Sequence, residues 1–519
     1  MNKFNIYTGD CLDILKTLAD NSIDSIVTDP PYGLSDHGED EVVACMQDWL
    51  AGKVYAPKGK GFMGKSWDAW VPGPEVWREC FRVLKPGAYM IVFASTRTDD
   101  LMSMAIRLAG FRKHPAGAWV FGSGFPKATN LSKAFDAGSA RPEDIRRSEM
   151  GEDYEPSGRG RVNYDHGSAS VMNGATYKRE PSTEAAKQHE GWFYGLQSLK
   201  PAMEPWLLFQ KPHEGRMTDN VLKWGTGAIN VDACRVATND ELRAGAGGLL
   251  SHVRDGKAYP NESTKRTGRA EMGYCGGNAE GEYHTGSDAG RWPANIIHDG
   301  SDAVVALFPE SKGQQAAVGP QHGDKTSINT YGDYGPREQF EPRNDSGSAA
   351  RFFTQCQHDE DDFETAQRLF YCPKASKADR EEGLDGFEKR DGGMVSNTSG
   401  QHMTRRDDGY QIPQRANRHP TVKPTSLMRH LVRLITPPGG TCADPFMGSG
   451  STGKAAMLEC FNFIGIEKDA DYAEISRARI EHAAKVASGE LPKVAIEKPC
   501  AARYPVDTEA SEVAQGVLF

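Results

Sequence analysis

The chain has 519 residues, a formal net charge of -10 and 38% hydrophobic residues, so it exceeds an ordinary single domain, supports a real core and suggests about three units. The acidic total excludes a uniformly basic nucleic-acid surface but allows a basic cleft, and no apolar run reaches the roughly 18 residues of a membrane span. The opening MNKFNIYTGD turns polar too early for a signal peptide, and ten scattered cysteines without a C-x-x-C pair or a His cluster argue against disulfides and bound metal, so a cytoplasmic protein with reduced thiols and no membrane partner is expected.

Residues 1–135 read as alternating strand and helix. FNIYTGD is a short strand ending in Gly9 and Asp10, Leu12, Leu15 and Leu18 recur at helical spacing, and DSIVTDPPYG is a strand cut off by two prolines. GPEVWRECFRVLKPG follows as a helix with Val76, Cys80, Phe81 and Leu84 on one face, then the strand AYMIVFAS and the helix TDDLMSMAIRLAGF. Such alternation implies a parallel sheet covered by helices.

Residues 136–410 lose this order. They are dense in Gly, Ser, Asn and charge, with islands such as MEPWLLFQKP and GRWPANIIHDGSDAVVALFP that suit strands or short helices, and they read as a folded insert with long loops. Order returns at 411–485: TVKPTSLMRHLVRLITPPGG is a helix with Leu427, Leu431 and Leu434 inward, followed by TCADP, a glycine loop, a helix, the strand FIGIE and a last helix. The two ordered parts read as halves of one doubly wound α/β domain, and 486–519 as a loose tail. Within 401–440, seven Arg or Lys stand against Asp407 and Asp408, which marks either a solvated face or a basic contact surface.

The loop DPFMGSGSTGKAA, residues 444–456, has three readings. Gly448, Gly450 and Gly453 fit a dinucleotide fingerprint, Gly448, Gly453 and Lys454 fit the start of a P-loop, and an S-adenosylmethionine turn is the third. A P-loop needs Ser or Thr after its Lys, where Ala455 stands. Glu467, at the end of the next strand, suits the ribose of either remaining ligand. Asp444 beside the glycines would repel a pyrophosphate and attract a cationic sulfonium and amino group.

Asp29-Pro30-Pro31-Tyr32 sits where a strand ends, the place where open parallel sheets bind ligands. An exocyclic amine on a nucleobase is a poor nucleophile because its lone pair is delocalised into the ring. It needs acceptors that draw on its hydrogens as the nitrogen turns tetrahedral, which the Asp29 carboxylate and the Pro30 carbonyl supply. Pro30 and Pro31 fix the backbone, and Tyr32 offers a face for a base to stack upon.

With these two motifs the chain resembles the amino-methylating DNA methyltransferases, in the permuted class where D-P-P-Y comes before the S-adenosylmethionine loop. The resemblance covers about residues 4–135 and 415–482. It implies a Rossmann-like, circularly permuted fold with a large inserted target-recognition region, and amine handling by Asp29, Pro30, Pro31 and Tyr32. It also implies S-adenosylmethionine held by Asp444, Phe446, Gly448, Gly450, Ser451 and Glu467, with Gly9 and Asp10 against its adenine. The H-P-T-x-K-P segment matches His419, Pro420, Thr421, Lys423 and Pro424, and Lys423 is a candidate for the methionine carboxylate or a structural or phosphate contact. Trp67 and Asp68 suit either a packed loop or a DNA-contacting one.

The expected function is methylation of the adenine amine in double-stranded DNA. Cytosine-amine methylation and a non-catalytic DNA-binding protein on the same fold are the alternatives, because Asp in first place goes with adenine by a rule that has exceptions. A homodimer and a cognate restriction nuclease are left open as further partners.

Overall fold

The computed structural model describes residues 3–35, 37–57, 68–122, 126–139, 181, 183–236, 291–311, 347–356, 375–391 and 414–492, with four two-residue strand pieces between 169 and 258. Strand β1 (Phe4–Thr8) leads through Gly9 into α1 (Cys11–Leu15), which Asp10 caps by accepting from Leu12 N–H. This helix stops at Leu15, so Leu18 belongs to the turn after it. Strand β2 (Ile23–Thr28) is buried along its whole length and ends before Pro30 and Pro31, which offer no N–H to continue a ladder. A charged helix that the apolar pattern did not announce, α2 (Glu39–Leu50), follows.

Helix α3 (Pro74–Val83) starts with proline at its first turn, where the missing N–H costs nothing, and turns Val76, Trp77, Cys80 and Val83 inward. Leu84 is already in β3 (Leu84–Phe93), and Phe81 lies only at the margin of the core. Helix α4 (Asp99–Leu108) and strand β4 (Gly117–Val120) come next, then a ribbon of β5 (Lys127–Asn130) with β6 (Phe193–Gln197), flanked by α5 (Leu131–Ser139) and α6 (Glu184–Gln188). After β7 (Met203–Gln210) and α7 (Met217–Trp224), β8 (Ile296–His298), β9 (Thr354–Gln355) and α8 (Lys377–Glu381) are the main elements before the last part. That part consists of α9 (Thr425–Ile435), β10 (Thr441–Asp444), α10 (Ser451–Leu458), β11 (Asn462–Glu467) and α11 (Ala470–Ser488).

One ten-stranded sheet runs β1-β11-β10-β2-β3-β7-β4-β8-β9, with the short strand Arg112–Lys113 also pairing β7. Its pairs are parallel except those made by β7, which is antiparallel to its neighbours. This is a doubly wound, Rossmann-like α/β sheet. Alternate side chains feed two cores: Val27, Ile91, Phe93 and Leu208 face α9 and α10, while Ile26, Met90, Val92 and Leu207 face α3 and α4. Leu427, Leu431 and Leu434 are all buried, as their spacing predicts.

The expected division at residue 136 is not a division of the sheet. Strands β7, β8 and β9 all come from 136–410, and β7 lies in the middle of the sheet, between β3 and β4. Its sequence MEPWLLFQ is buried from Glu204 onward because both its faces meet a core. The last helix also continues to Ser488, past the expected start of the tail. Among the described residues no helix is long and apolar enough to cross a membrane, and no group of His, Cys, Asp and Glu is placed to hold a metal.

Candidate active site

Two loops meet at the carboxyl ends of β2 and β10. The strands pair in parallel, with Cys442 opposite Ser25 and Ala443 opposite Ile26, so both chains leave the sheet at the same level. There the Thr28 hydroxyl donates to Asp444 Oδ1 at 2.6 Å. Asp444 also accepts from Phe446 N–H at 3.1 Å and from the Thr452 hydroxyl at 2.6 Å. Burial pushes its carboxyl up to about 6 against the pull of these donors. At 2% exposure the carboxylate ties the two loops together, which differs from the expectation that it faces a ligand.

In the glycine loop, Gly448 and Gly450 have φ of +55° and +83°, a region that side-chain-bearing residues avoid. A Cβ at Gly448 would meet the His419 ring at 2.8 Å, and one at Gly450 would meet Ser476 at 2.8 Å. The glycines are therefore required by the loop's own packing as well as by its turn. Ser451 opens α10, and Phe446 is half-buried with its ring 6.1 Å from that of Trp77. Gly448 N–H donates to Glu467 Oε2 and Asp469 N–H to Oε1, both at 2.8 Å; burial still leaves the Glu467 carboxyl above its ordinary range. Gly9 N–H donates to the Glu467 carbonyl, and Asp10 Oδ2 lies 3.2 Å from Lys468 Nζ, so Asp10 stands beside Glu467.

His419 closes this loop from outside. Its Nδ1 lies 2.5 Å from the Thr421 carbonyl, which only a protonated nitrogen can approach as donor, and burial lowers its pKa to about 4, so the ring is neutral at ordinary pH. Lys454, the P-loop candidate, is 3% exposed. It pairs with Asp379 at 2.6 Å and with Glu382, beside Arg479. An ammonium consumed by two carboxylates is no phosphate ligand.

The Asp29 loop is held by a different set. Asp68 Oδ1 accepts from Tyr32 N–H at 3.0 Å and Gly33 N–H at 3.1 Å, and burial pushes its carboxyl up to about 6. Asp68 thus supports the loop from inside, while Trp67 lies outside the described residues. The Thr98 hydroxyl donates to the Tyr32 carbonyl at 2.7 Å, and Arg97 donates to the Leu34 and Ser35 carbonyls. Gly33 has φ +61° and no room for a Cβ, which would lie 2.9 Å from the backbone of Val71. Pro30 is buried and Pro31 half-buried.

The Tyr32 hydroxyl is tied back, 2.6 Å from Asp29 Oδ1 and 2.8 Å from Glu204 Oε1. Lys423 Nζ donates to Asp29 Oδ2 at 2.8 Å and lies 3.3 Å from Glu204 and 3.2 Å from the Tyr32 oxygen. Of the readings open for Lys423, this arrangement fits the structural one: its ammonium is drawn to two acids of the chain itself, in a pocket where an unpaired charge would be costly. The basic run around it behaves similarly, with Arg429 and Arg433 clamping Glu459 and Arg418 meeting Asp471. Arg405 and Arg406 lie outside the described residues.

Glu204, Thr28, Thr452, Thr98 and Gly33 were not singled out in the sequence. Glu204 alone carried a signal, an acid leading an apolar strand, because a buried charge demands a partner.

Residues 173–478, more than half of the chain, match a family described as DNA methylase. The match takes in β7, Lys423, the glycine loop and Glu467, and begins after the Asp29 loop. Short segments are also similar to the DNA adenine methyltransferase YhdJ of Escherichia coli K12, 37% identical over 76 residues, which are 15% of this chain and 26% of that protein. A second similarity is to the type II methyltransferase M.BglI of Bacillus subtilis, 44% identical over 63 residues, 12% of this chain and 18% of that one. A third is to the type II methyltransferase M2.DpnII of Streptococcus pneumoniae, 38% identical over 71 residues, 14% and 26% of the two chains. These matches span about a quarter or less of the relatives' lengths. On the extent of the family match, the chain belongs to the N6/N4 DNA methylase family.

Proposed function

We propose that the protein transfers the methyl group of S-adenosylmethionine to the exocyclic amine of adenine in double-stranded DNA, with the permuted order of its two loops. The observation that carries this reading is the Thr28–Asp444 hydrogen bond at the paired ends of β2 and β10. It sets an acid-proline-proline-tyrosine turn directly beside a glycine turn. The name of the Escherichia coli relative supports adenine as the base.

The glycine loop has the donor set that this cofactor asks for. Each Glu467 oxygen is held by one backbone N–H and a carboxylate oxygen accepts about two, so Glu467 suits the ribose hydroxyls and Asp10 the adenine side. Phe446, Gly448, Gly450 and Ser451 form the wall of the same turn. When bound, the cofactor supplies a methyl group activated by its sulfonium.

The protein's own part is to capture and orient the amine. Asp29 accepts a hydrogen bond from it, the Pro30 carbonyl offers a second acceptor, and together they favour the tetrahedral nitrogen whose lone pair is free to attack. Tyr32 supplies a ring for a base turned out of the duplex. Lys423 balances the acids around it. No covalent enzyme intermediate is needed. The parts of 136–410 outside the sheet suit reading of the target through base edges and phosphates, and the type II names of two relatives support a cognate nuclease as a partner.

The test is to incubate the purified protein with DNA and S-adenosylmethionine labelled in its methyl group, then digest and identify the nucleosides. Label in N6-methyladenine is expected. Label in N4-methylcytosine would move the activity to cytosine, and bound cofactor without label in any DNA would leave a DNA-binding protein on this fold.

A further inference from the structure

Against the Asp29 loop stands a carboxylate from another element for which the transfer itself has no task. Glu204 lies near the start of β7, the strand between β3 and β4, and is 4% exposed. Each donor that Asp29 holds, Glu204 meets as well: the Tyr32 hydroxyl at 2.6 Å from Asp29 and 2.8 Å from Glu204, the Lys423 ammonium at 2.8 Å and 3.3 Å. A phenol carries one proton and donates to one carboxylate at a time. Both donors lie within hydrogen-bond distance of both acids, with the shorter contacts to Asp29, on the oxygens that an incoming amine has to reach. Each Asp29 oxygen already holds one of these donors, so an incoming amine competes with them for the same carboxylate, and Glu204 is an acceptor within reach toward which both can turn.

We infer, resting on the amine-transfer reading above, that Glu204 is a positioning residue that holds the Tyr32 hydroxyl and the Lys423 ammonium and takes them over when the target amine occupies Asp29. The exchange moves one hydrogen bond of each donor from one carboxylate to the other, with no bond made or broken in the protein. Neither donor has to travel, since both already lie between the two acids. The geometry thus explains why an acid stands at the head of a strand otherwise filled by Trp206, Leu207, Leu208 and Phe209.

The experiment is a kinetic and thermal double-mutant cycle of Glu204→Gln with Tyr32→Phe. Glutamine keeps the shape and a carbonyl oxygen for Tyr32 but has no charge for Lys423. For Glu204→Gln, kcat should fall at least about tenfold with KM for DNA within about twofold, the signature of an interaction that matters after binding. In the Tyr32→Phe background the further loss should shrink to less than about threefold, because residues sharing one network do not add. Glu204→Asp should restore part of the rate, and it carries the test if the glutamine variant does not fold. A wild-type kcat in Glu204→Gln, or an equal loss with and without the Tyr32 hydroxyl, overturns the inference. If the wild type transfers no methyl group at all, the transfer reading falls instead, and the Glu204–Tyr32 link is then decided by melting temperatures of the same four proteins: non-additive shifts support it and additive shifts overturn it.

Discussion

The two loops at the end of the sheet are braced in opposite ways. The glycine loop takes more of its holds from its own neighbourhood: Asp444 takes Thr452 only 8 residues on and Glu467 takes Gly448 across 19, beside one long tie from Thr28 across 416. The Asp29 loop is held from afar, by Asp68 across 36 residues, Thr98 across 66, Glu204 across 172 from Tyr32 and Lys423 across 394. One loop has most of its ties within its own strand-loop-helix. The other exists only when the whole sheet has closed around it. The cofactor side should therefore tolerate damage that the amine side does not.

The largest test of this contrast is Lys423→Met. It leaves the buried Glu204 and the half-buried Asp29 beside Tyr32 without their cation, which should cost up to about 3–5 kcal/mol of stability at neutral pH, read as a drop in melting temperature. Calorimetric affinity for S-adenosylmethionine at a temperature where the variant is folded should stay close to normal. An unchanged melting point with a lost cofactor would return Lys423 to the glycine loop and break the comparison. Glu467→Ala addresses the other loop: cofactor affinity should weaken by about 1.5–3 kcal/mol, the worth of a hydrogen bond to a charged group, with the Asp29 loop intact. If affinity does not change, Glu467 has no place in the cofactor site.

The smallest effect is in pH. Asp68 and Asp444 each titrate near 6 because of burial, against an ordinary 3.8. A raised folded-state value means that the folded chain takes up protons more readily than the unfolded one. These two acids therefore do not lose stability between 6 and 3.8; they lose acceptor strength. Transfer should decline as pH falls through about 6 with no melting attributable to them. His419 and His430, lowered to about 4 by burial, act the other way and cost stability between 6.5 and 4. Asp68→Asn should lower the rate about tenfold, as for about 1.4 kcal/mol lost from loop support, and flatten the acid limb of kcat while leaving that of cofactor affinity, which belongs to Asp444. An unaltered acid limb of kcat would take Asp68 out of the loop's support.

What could be read in the sequence follows the same division. The strand-loop-helix around Gly448 and the acid at 467 are spelled out by nearby residues, and so are the ends of β2 and α9. Glu204 was hidden because nothing local says that MEPWLLFQ pairs with β3, a partner more than a hundred residues earlier. Lys423 was left open between the cofactor and a structural contact because its partner is remote: it stands shortly before the glycine loop in the chain, but in space its ammonium crosses to Asp29. Helix α2 escaped because EDEVVACMQDWL buries only Cys45 and Trp49 and shows no continuous apolar stripe.

The central claim is that Asp29 serves the amine and not the cofactor, and substitution at that residue tests it most directly. In Asp29→Ala, Lys423 keeps Glu204 as its partner, so the protein should fold and bind S-adenosylmethionine with close to normal affinity. Methyl transfer to DNA should fall by at least about 100-fold, the scale for one positioned transition-state acceptor. Transfer at the wild-type rate, or loss of cofactor binding in step with transfer in a folded variant, would contradict the account.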